Sequence, residues 1–431
     1  MIPQSNHYGL KNARVPIAAM EESEDVVQTR DGLCSVDIEI VEGAIARIQS
    51  TSNNPTNFPT LDLQQGIVLP CFVDLHTHLD KAHIWERSRN PDCTFERAIA
   101  SCQKDAKKYW NPEDLYRRME FVLKCSYAHG TQALRTHLDI LDAPESESLA
   151  VFQQLQTEWR DRITLQVVSL VTLDYFQSPQ GVLLADKIAE MGGILGGVAY
   201  LNPELDAQLD AVFSLAKERN LDLDFHVDEN GNPDSNCLEK VARTALRHQF
   251  KGKILCGHCC SLTVQSPKQI TATLNLVKAA GIGIVSLPMC NQFLQDRTPN
   301  QTPFWRGIPP IHEIKQKGIP ITFANDNCRD PFFGFGDGDV LEVFNQAVRI
   351  AHLDCPYGDW IDSVTRTPAN LMGLPNIGRI GVGLPANLIL FKARYFSELL
   401  ARSQRDRAVL RNGKPIDTTL PPYAELDDLM A

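Results

Sequence analysis

The stretch Ile67-Val-Leu-Pro-Cys-Phe-Val-Asp-Leu-His-Thr-His78 joins a run of apolar residues to a pair of histidines. Similar apolar runs recur downstream, each followed by a polar loop, an amphipathic segment with helix signals and then a glycine. This rhythm is typical of parallel strands that are joined by helices. Eight runs are predicted as strands, at residues 67–75, 131–138, 163–170, 193–201, 221–227, 253–258, 281–287 and 318–324.

The segments between the runs carry recognisable helix signals. Asn111 followed by Pro112 offers a side-chain cap and a first-turn proline, and Gly130 can end that helix with a left-handed residue. Residues 266–281 repeat the arrangement. Eight strand–helix units in one region predict a closed (β/α)₈ TIM barrel, because an open doubly wound sheet would usually show a phosphate-binding glycine signature that this sequence lacks.

The two ends of the chain have the patterns of β structure. Residues 34–48 alternate polar and apolar around a Glu42-Gly43 turn, residues 387–391 are a strand candidate, and Asn412-Gly413 is typical of a tight hairpin. We therefore predict an α/β protein in which a TIM barrel is inserted into a small composite β-sandwich domain built from both termini; two unrelated β tails are the alternative. The predicted divisions are 1–66 and 376–431 for the β domain and 67–375 for the barrel.

Composition excludes several classes of partner. The 431 residues are 43% hydrophobic and 22% charged, as in a globular protein, and 42 basic against 53 acidic residues give a net charge of −11. Because no basic block is present, nucleic-acid and anionic-membrane partners are not expected.

The twelve cysteines form no compact disulfide framework, so we expect reduced thiols. Neither a signal sequence nor an apolar span of ~20 residues is found, so we expect a cytoplasmic location. The sequence leaves homo-oligomer formation open.

Metal-ligating side chains follow several of the predicted strands. His76 and His78 are spaced by two and therefore project from one face of strand one. His226 ends strand five and Asp326 follows strand eight, at the edge where barrel active sites lie. Imidazole nitrogens with a carboxylate oxygen suit Zn²⁺ or Fe²⁺, so we predict one divalent ion held by these four residues. A second ion is not expected, because residues 192–203 at the end of strand four contain no lysine that could bridge two metals.

The same strand ends supply groups that could move protons. A bound metal would lower the pKa of its water from ~15.7 toward ~7. Asp326 could take the water proton, His258 could orient the resulting hydroxide, and Glu229 could carry a proton to the substrate. The segment 135–139, Arg-Thr-His-Leu-Asp, either supplies hydrogen bonds to the ligands or has charged groups that only pair with other charged groups in the barrel mouth. Cys256-Gly-His-Cys259 lacks the second pair of a zinc knuckle and is interpreted as core.

These motifs resemble the amidohydrolase superfamily, which places His-x-His after strand one and His, His and Asp on strands five, six and eight. Segments 70–81, 135–139 and 226–229 resemble bacterial cytosine deaminases. The resemblance implies a hydrolase of carbon–nitrogen bonds in cyclic amidines, with the four ligands named above, Glu229 as proton carrier to the ring nitrogen and His258 as partner of the hydroxide. It also places Phe332 beside a flat substrate.

Two departures from that family bear on the substrate. Thr172 stands where cytosine deaminases carry a glutamine that binds the pyrimidine, and Asn327 replaces an aspartate. With Phe332, these are the predicted substrate-binding residues. The segment 326–339 is closer to N-isopropylammelide amidohydrolases, which lack a glutamate at the place of Glu229. We predict a deaminase that releases ammonia from cytosine or a related amino-heterocycle; an alkylamine-releasing aminotriazine hydrolase and a non-catalytic binding or scaffold barrel are the alternatives.

Overall fold

A computed structural model describes residues 2–21, 29–52, 55–140, 146–403 and 406–430. The described strands are β1 (His7–Pro16), β2 (Leu33–Val41), β3 (Ala44–Ser50), β4 (Thr60–Asp62), β5 (Val68–Pro70), β6 (Phe72–Thr77), β7 (Thr131–Asp139), β8 (Thr164–Leu170), β9 (Leu195–Ala199), β10 (Leu223–Val227), β11 (Ile254–His258), β12 (Ile282–Ser286), β13 (Ile321–Phe323), β14 (Leu388–Leu390), β15 (Ala408–Arg411) and β16 (Lys414–Pro415). The described α-helices are α1 (Phe95–Tyr109), α2 (Pro112–His129), α3 (Glu147–Trp159), α4 (Pro179–Glu190), α5 (Leu205–Arg219), α6 (Cys237–His248), α7 (Pro267–Ala279), α8 (Pro288–Leu294), α9 (Ile311–Gln316), α10 (Val340–Ala351), α11 (Arg366–Leu371) and α12 (Phe396–Ala401).

Contacts divide the chain into two compact units. The barrel unit comprises Asp74–Leu123, Leu134–Gly338 and Pro421–Ala431, and the β unit comprises Met1–Val73, Lys124–Ala133 and Asp339–Leu420. The domain boundaries predicted from the sequence, at 66/67 and 375/376, stay a prediction, because compact units of contacts are not a test of separate domains. No helix among the described residues is both long and apolar enough to cross a membrane.

The barrel is built from β6 to β13 in chain order. One sheet has the order β6-β7-β8 and the other runs from β9 to β13 with parallel pairing between neighbours. Parallel bridges between Val168 and Ile194 and between Thr77 and Asp326 join the two sheets at both edges, which closes the ring of eight strands. The predicted TIM barrel is therefore confirmed, and its carboxyl-terminal edge carries the predicted site residues.

The helices begin where the sequence signals place them. The Asn111 side chain accepts hydrogen bonds from the backbone N–H groups of Glu113 and Asp114, at 3.0 and 3.1 Å, and so caps α2. Ser266 and Gln269 form a reciprocal capping box at the start of α7. Such local bonds satisfy backbone donors that the helix itself leaves without partners.

The β unit contains two four-stranded sheets, ordered β3-β2-β1-β4 and β16-β15-β14-β5. The predicted hairpins are confirmed at Glu42-Gly43 and Asn412-Gly413, where all four residues have positive φ as a tight hairpin turn requires. Apolar side chains of both sheets share one core, including Leu10, Val36, Ile40, Val68, Leu388 and Leu410. The composite sandwich from both ends of the chain is thus confirmed.

The run 67–75 is not one strand, which corrects the sequence interpretation. Val68–Pro70 pairs antiparallel with β14 in the β unit, whereas Phe72–Thr77 is the first barrel strand. The N–H of Cys71 still donates to the oxygen of Asn387, at 3.1 Å, whereas the next N–H, of Phe72, donates to the oxygen of Gly130, at 3.0 Å, so the chain changes partners between these two residues.

Candidate active site

The four predicted metal ligands meet at the carboxyl-terminal edge of the barrel. Nε2 of His226 lies 3.2 Å from Nε2 of His76 and 3.3 Å from Nε2 of His78. Oδ1 of Asp326 lies 3.5 Å from Nε2 of His76 and 3.2 Å from Nε2 of His78. Three imidazoles and one carboxylate therefore point their ligand atoms at a common centre.

The chemistry of this donor set fits a divalent cation. Burial lowers the pKa of His76, His78 and His226 well below the ordinary imidazole value, so all three rings are neutral at pH 7, as metal ligation requires. Both carboxylate oxygens of Asp326 are buried and, within the described residues, accept no hydrogen bond. Buried polar atoms without partners are rare, and a cation at the common centre would satisfy all four groups.

Deeper in the barrel, His137 and a buried ion pair lie behind these ligands. His76, His137 and His226 also form a group close enough to hold an ion. However, Nη1 of Arg135 donates to Oδ2 of Asp224 at 2.8 Å, and that guanidinium charge opposes a second cation nearby. Both groups include His76, and the single metal stays a prediction.

Removing the charge of Arg135 should expose the energetic role of this pair. Arg135 and Asp224 are 2% and 0% exposed, and burial raises the pKa of Asp224 to about 6 although Arg135 lowers it. Arg135→Met leaves a buried carboxylate without its partner, so we expect the free energy of unfolding in urea to fall by about 3–5 kcal/mol. The surface variant Arg243→Met, which breaks a helical pair with Glu239, should change it by only about 0.3–0.5 kcal/mol. If the free energy of unfolding fell equally in both variants, the pair of Arg135 and Asp224 would not have the stabilising role given to it here.

The charged residues of segment 135–139 form ion pairs, which is one of the two alternatives that the sequence left open. Arg135 forms the ion pair described above, whereas Asp139 accepts from Nζ of Lys81 at 2.8 Å. The same Nζ lies 3.3 Å from Nδ1 of His78, so Lys81 links Asp139 to a predicted ligand. Sequence reasoning missed Lys81, although it is the last residue of segment 70–81 and lies three residues after His78.

Glu229 and His258 lie beside the metal ligands and contact each other. Oε1 of Glu229 is 3.2 Å from Nδ1 of His258. Burial, reinforced by the charge of Asp326, raises the pKa of Glu229 well above its ordinary value, which suits a carboxyl that gains and loses a proton. Burial lowers the pKa of His258 to about 3, so its ring is neutral.

Local backbone structure fixes these side chains at the strand ends. Asp228 accepts hydrogen bonds from the backbone N–H groups of Cys237 and Leu238, both at 3.0 Å, which holds the loop that carries Glu229 against the start of α6. His258 and Asp326 both have φ of 68°, a left-handed conformation that costs energy for residues other than glycine. Backbone strain of this kind is concentrated at functional sites.

A cavity of about 220 Å³ opens beside the predicted ligands, and more of its exposed wall is apolar than polar, although ten of its nineteen lining residues are polar or charged. Thr172, Asn327 and Phe332, the predicted substrate-binding residues, all line it. The Asn327 amide donates to Oδ2 of Asp330 at 2.8 Å, which fixes its orientation. The Phe332 ring meets that of Phe95 edge to face, with centroids 5.6 Å apart. The remaining lining residues include Ile99, Ile140, Leu170, Val171, Val198 and Tyr200.

Comparison with known proteins places this geometry among characterised hydrolases. A model of the amidohydrolase family matches residues 125–417. A pterin deaminase of Rhizobium rhizogenes is 45% identical over 429 residues, which cover 99% of this chain and 98% of the relative. N-isopropylammelide isopropyl amidohydrolase of a Pseudomonas species is 24% identical, over 88% of this chain and 93% of the relative. The crystal structure of Klebsiella pneumoniae 5-methylcytosine deaminase with 5-fluorocytosine has a TM-score of 0.81 at 25% identity, and the match covers 95% of this chain and 97% of that one.

Proposed function

Since this chain belongs to the amidohydrolase family, we propose that it is a metal-dependent deaminase that removes the ring amino group of a flat amino-heterocycle, with a pterin as the preferred substrate. The main support for a pterin substrate is the 45% identity to a pterin deaminase along 99% of the chain. The cavity of about 220 Å³, with Phe332 among its apolar wall residues and polar groups beside them, supports a flat aromatic ligand. Thr172 in place of glutamine is consistent with a ring other than cytosine.

Zn²⁺ or Fe²⁺ would be held by His76, His78, His226 and Asp326. Bound there, the ion would lower the pKa of a water molecule toward ~7 and so supply the nucleophile. The chain's own residues would do the rest. We assign Asp326 to take the water proton and His258 to donate a hydrogen bond to the reacting oxygen.

Glu229 carries protons on the substrate side in this proposal. Its carboxyl lines the cavity and, with its raised pKa, can protonate the ring nitrogen next to the amino-bearing carbon. Water adds to that carbon and gives one proton to Asp326, which passes it to the departing amino group, so the carbon–nitrogen bond breaks and ammonia leaves. The second proton of the water returns to Glu229 as the oxo group forms. The product carries an oxo group in place of the amine.

A substrate panel tests the proposal. Zinc-loaded protein would be incubated with pterin, cytosine, isocytosine and N-isopropylammelide, and released ammonia and isopropylamine would be measured separately. We expect ammonia from pterin with kcat/KM at least about tenfold above that of either pyrimidine, because the extra ring adds contact with apolar wall residues. A preference for cytosine would favour the substrate predicted from the sequence, isopropylamine would favour the triazine alternative, and no release from any ring would contradict a deaminase.

A further inference from the structure

Asn291, which the sequence reasoning did not single out, joins the two proton-handling residues. It lies on α8, after barrel strand β12, and is 0% exposed. Its Nδ2 donates to Oε1 of Glu229 at 3.2 Å and lies 3.0 Å from Nδ1 of His258. One amide nitrogen with two hydrogens thus serves both side chains.

The three atoms form a triangle in which the Asn291 amide turns its Nδ2 toward the other two. Oε1 of Glu229 can accept a hydrogen bond from this nitrogen whether the carboxyl is protonated or ionised. If that nitrogen also donates to His258, then Nδ1 of the ring carries a lone pair and the ring hydrogen is on Nε2. Within the described residues Nε2 of His258 is buried and has no hydrogen-bond partner, so it is the donor left over for a ligand.

We propose that Asn291 is a positioning residue that holds His258 in the Nε2–H tautomer. This assignment rests on the proposed function for its purpose, because the Nε2–H group then donates to the oxygen that attacks the ring. Without Asn291, Nδ1–H of His258 would be free to bond to Glu229 across their 3.2 Å contact. His258 would then present a lone pair to the reacting oxygen, and Glu229 would be engaged with the histidine rather than the substrate.

The tautomer can be read directly by ¹⁵N NMR of histidine-labelled, zinc-loaded protein without substrate. The variant His258→Gln identifies the signals of His258 among those of the eleven histidines. In the unmodified protein we expect a protonated Nε2 and a bare Nδ1. A proton on Nδ1 would overturn the proposal. That tautomer would arise if the Asn291 amide were reversed, so that its oxygen accepted from Nδ1 of His258 and from a protonated Glu229.

Variants add a second readout. In Asn291→Leu and Asn291→Asp the proton should move to Nδ1, and kcat for deamination should fall on the order of 10²-fold with little change in KM. Gln295→Leu is the matched control, because this side-chain amide donates to the backbone oxygen of Glu229, at 3.3 Å, and not to its carboxyl in the part of the chain that the structure describes, so the tautomer should not change. An unchanged tautomer in both Asn291 variants would also overturn the proposal.

The outcomes separate this inference from the proposed function. Protein that shows the Nε2–H tautomer but deaminates no ring would refute the deaminase and keep the role of Asn291. Protein that releases ammonia but carries the proton on Nδ1 would support the deaminase and refute the role of Asn291.

Discussion

Glu229→Gln is expected to lower kcat for deamination by about 10²–10⁴-fold while the protein keeps its metal and still binds substrate. Glutamine has nearly the same shape as glutamate but cannot deliver a proton. Its amide can still occupy the buried position next to His258 and Asn291. The loss should therefore appear in kcat, with metal content by elemental analysis close to that of the unmodified protein.

Glu218→Gln is the control for this experiment, because it makes the same chemical change on the exposed surface of α5, where the Glu218 side chain is 67% exposed. It should leave kcat, KM and metal content unchanged. If Glu229→Gln kept full turnover, the proton must reach the ring by another route and the assigned role of Glu229 would be wrong. A variant that lost its metal would instead point to a structural role.

His226→Ala should remove the ion itself. The ring of His226 supplies a nitrogen that lies 3.2 Å from that of His76 and 3.3 Å from that of His78, so its loss removes one member of the ligand set. Loss of a group that merely supports a ligand typically weakens metal binding 10–100-fold, so we expect a drop of more than about 100-fold here. Deamination should fall below detection at low metal concentration.

Stability gives an independent measurement of the same event. An ion present at 100 times its dissociation constant stabilises the folded state by about 2.7 kcal/mol. Chelation should therefore lower the melting temperature of the unmodified protein and leave that of His226→Ala almost unchanged. His248→Ala, which removes an imidazole that pairs with Asp210 at the end of α6, should retain the metal and the response to chelator. A His226→Ala protein with full metal content would refute the ligand assignment.

The barrel could be predicted because its signals are local and repeated. Caps such as Asn111 and Ser266 and the eight apolar runs are visible along the chain, and the carboxyl ends of parallel strands must share one edge. His76, His78, His226 and Asp326 could be grouped for the same reason. The strand break at Pro70 was missed because an apolar pattern does not show which sheet a residue joins.

Asn291 and Lys81 could not be assigned from sequence alone for a different reason. Their roles depend on contacts between residues that are distant in the chain, such as the 3.0 Å approach of Asn291 to His258. An asparagine or lysine near a strand end is usually solvated or structural, and no residue spacing distinguishes those cases. The three-dimensional contacts identify these two residues, whereas the periodic pattern of the sequence does not.

The left-handed backbone at His258 and Asp326 has an evolutionary consequence. Glycine or asparagine would adopt φ of 68° at these positions with less strain, yet neither could replace the imidazole or the carboxylate. Selection for stability alone would therefore discard both residues, and only selection for turnover retains them. Thermostabilising substitutions found at these two positions should cost the enzyme its chemistry.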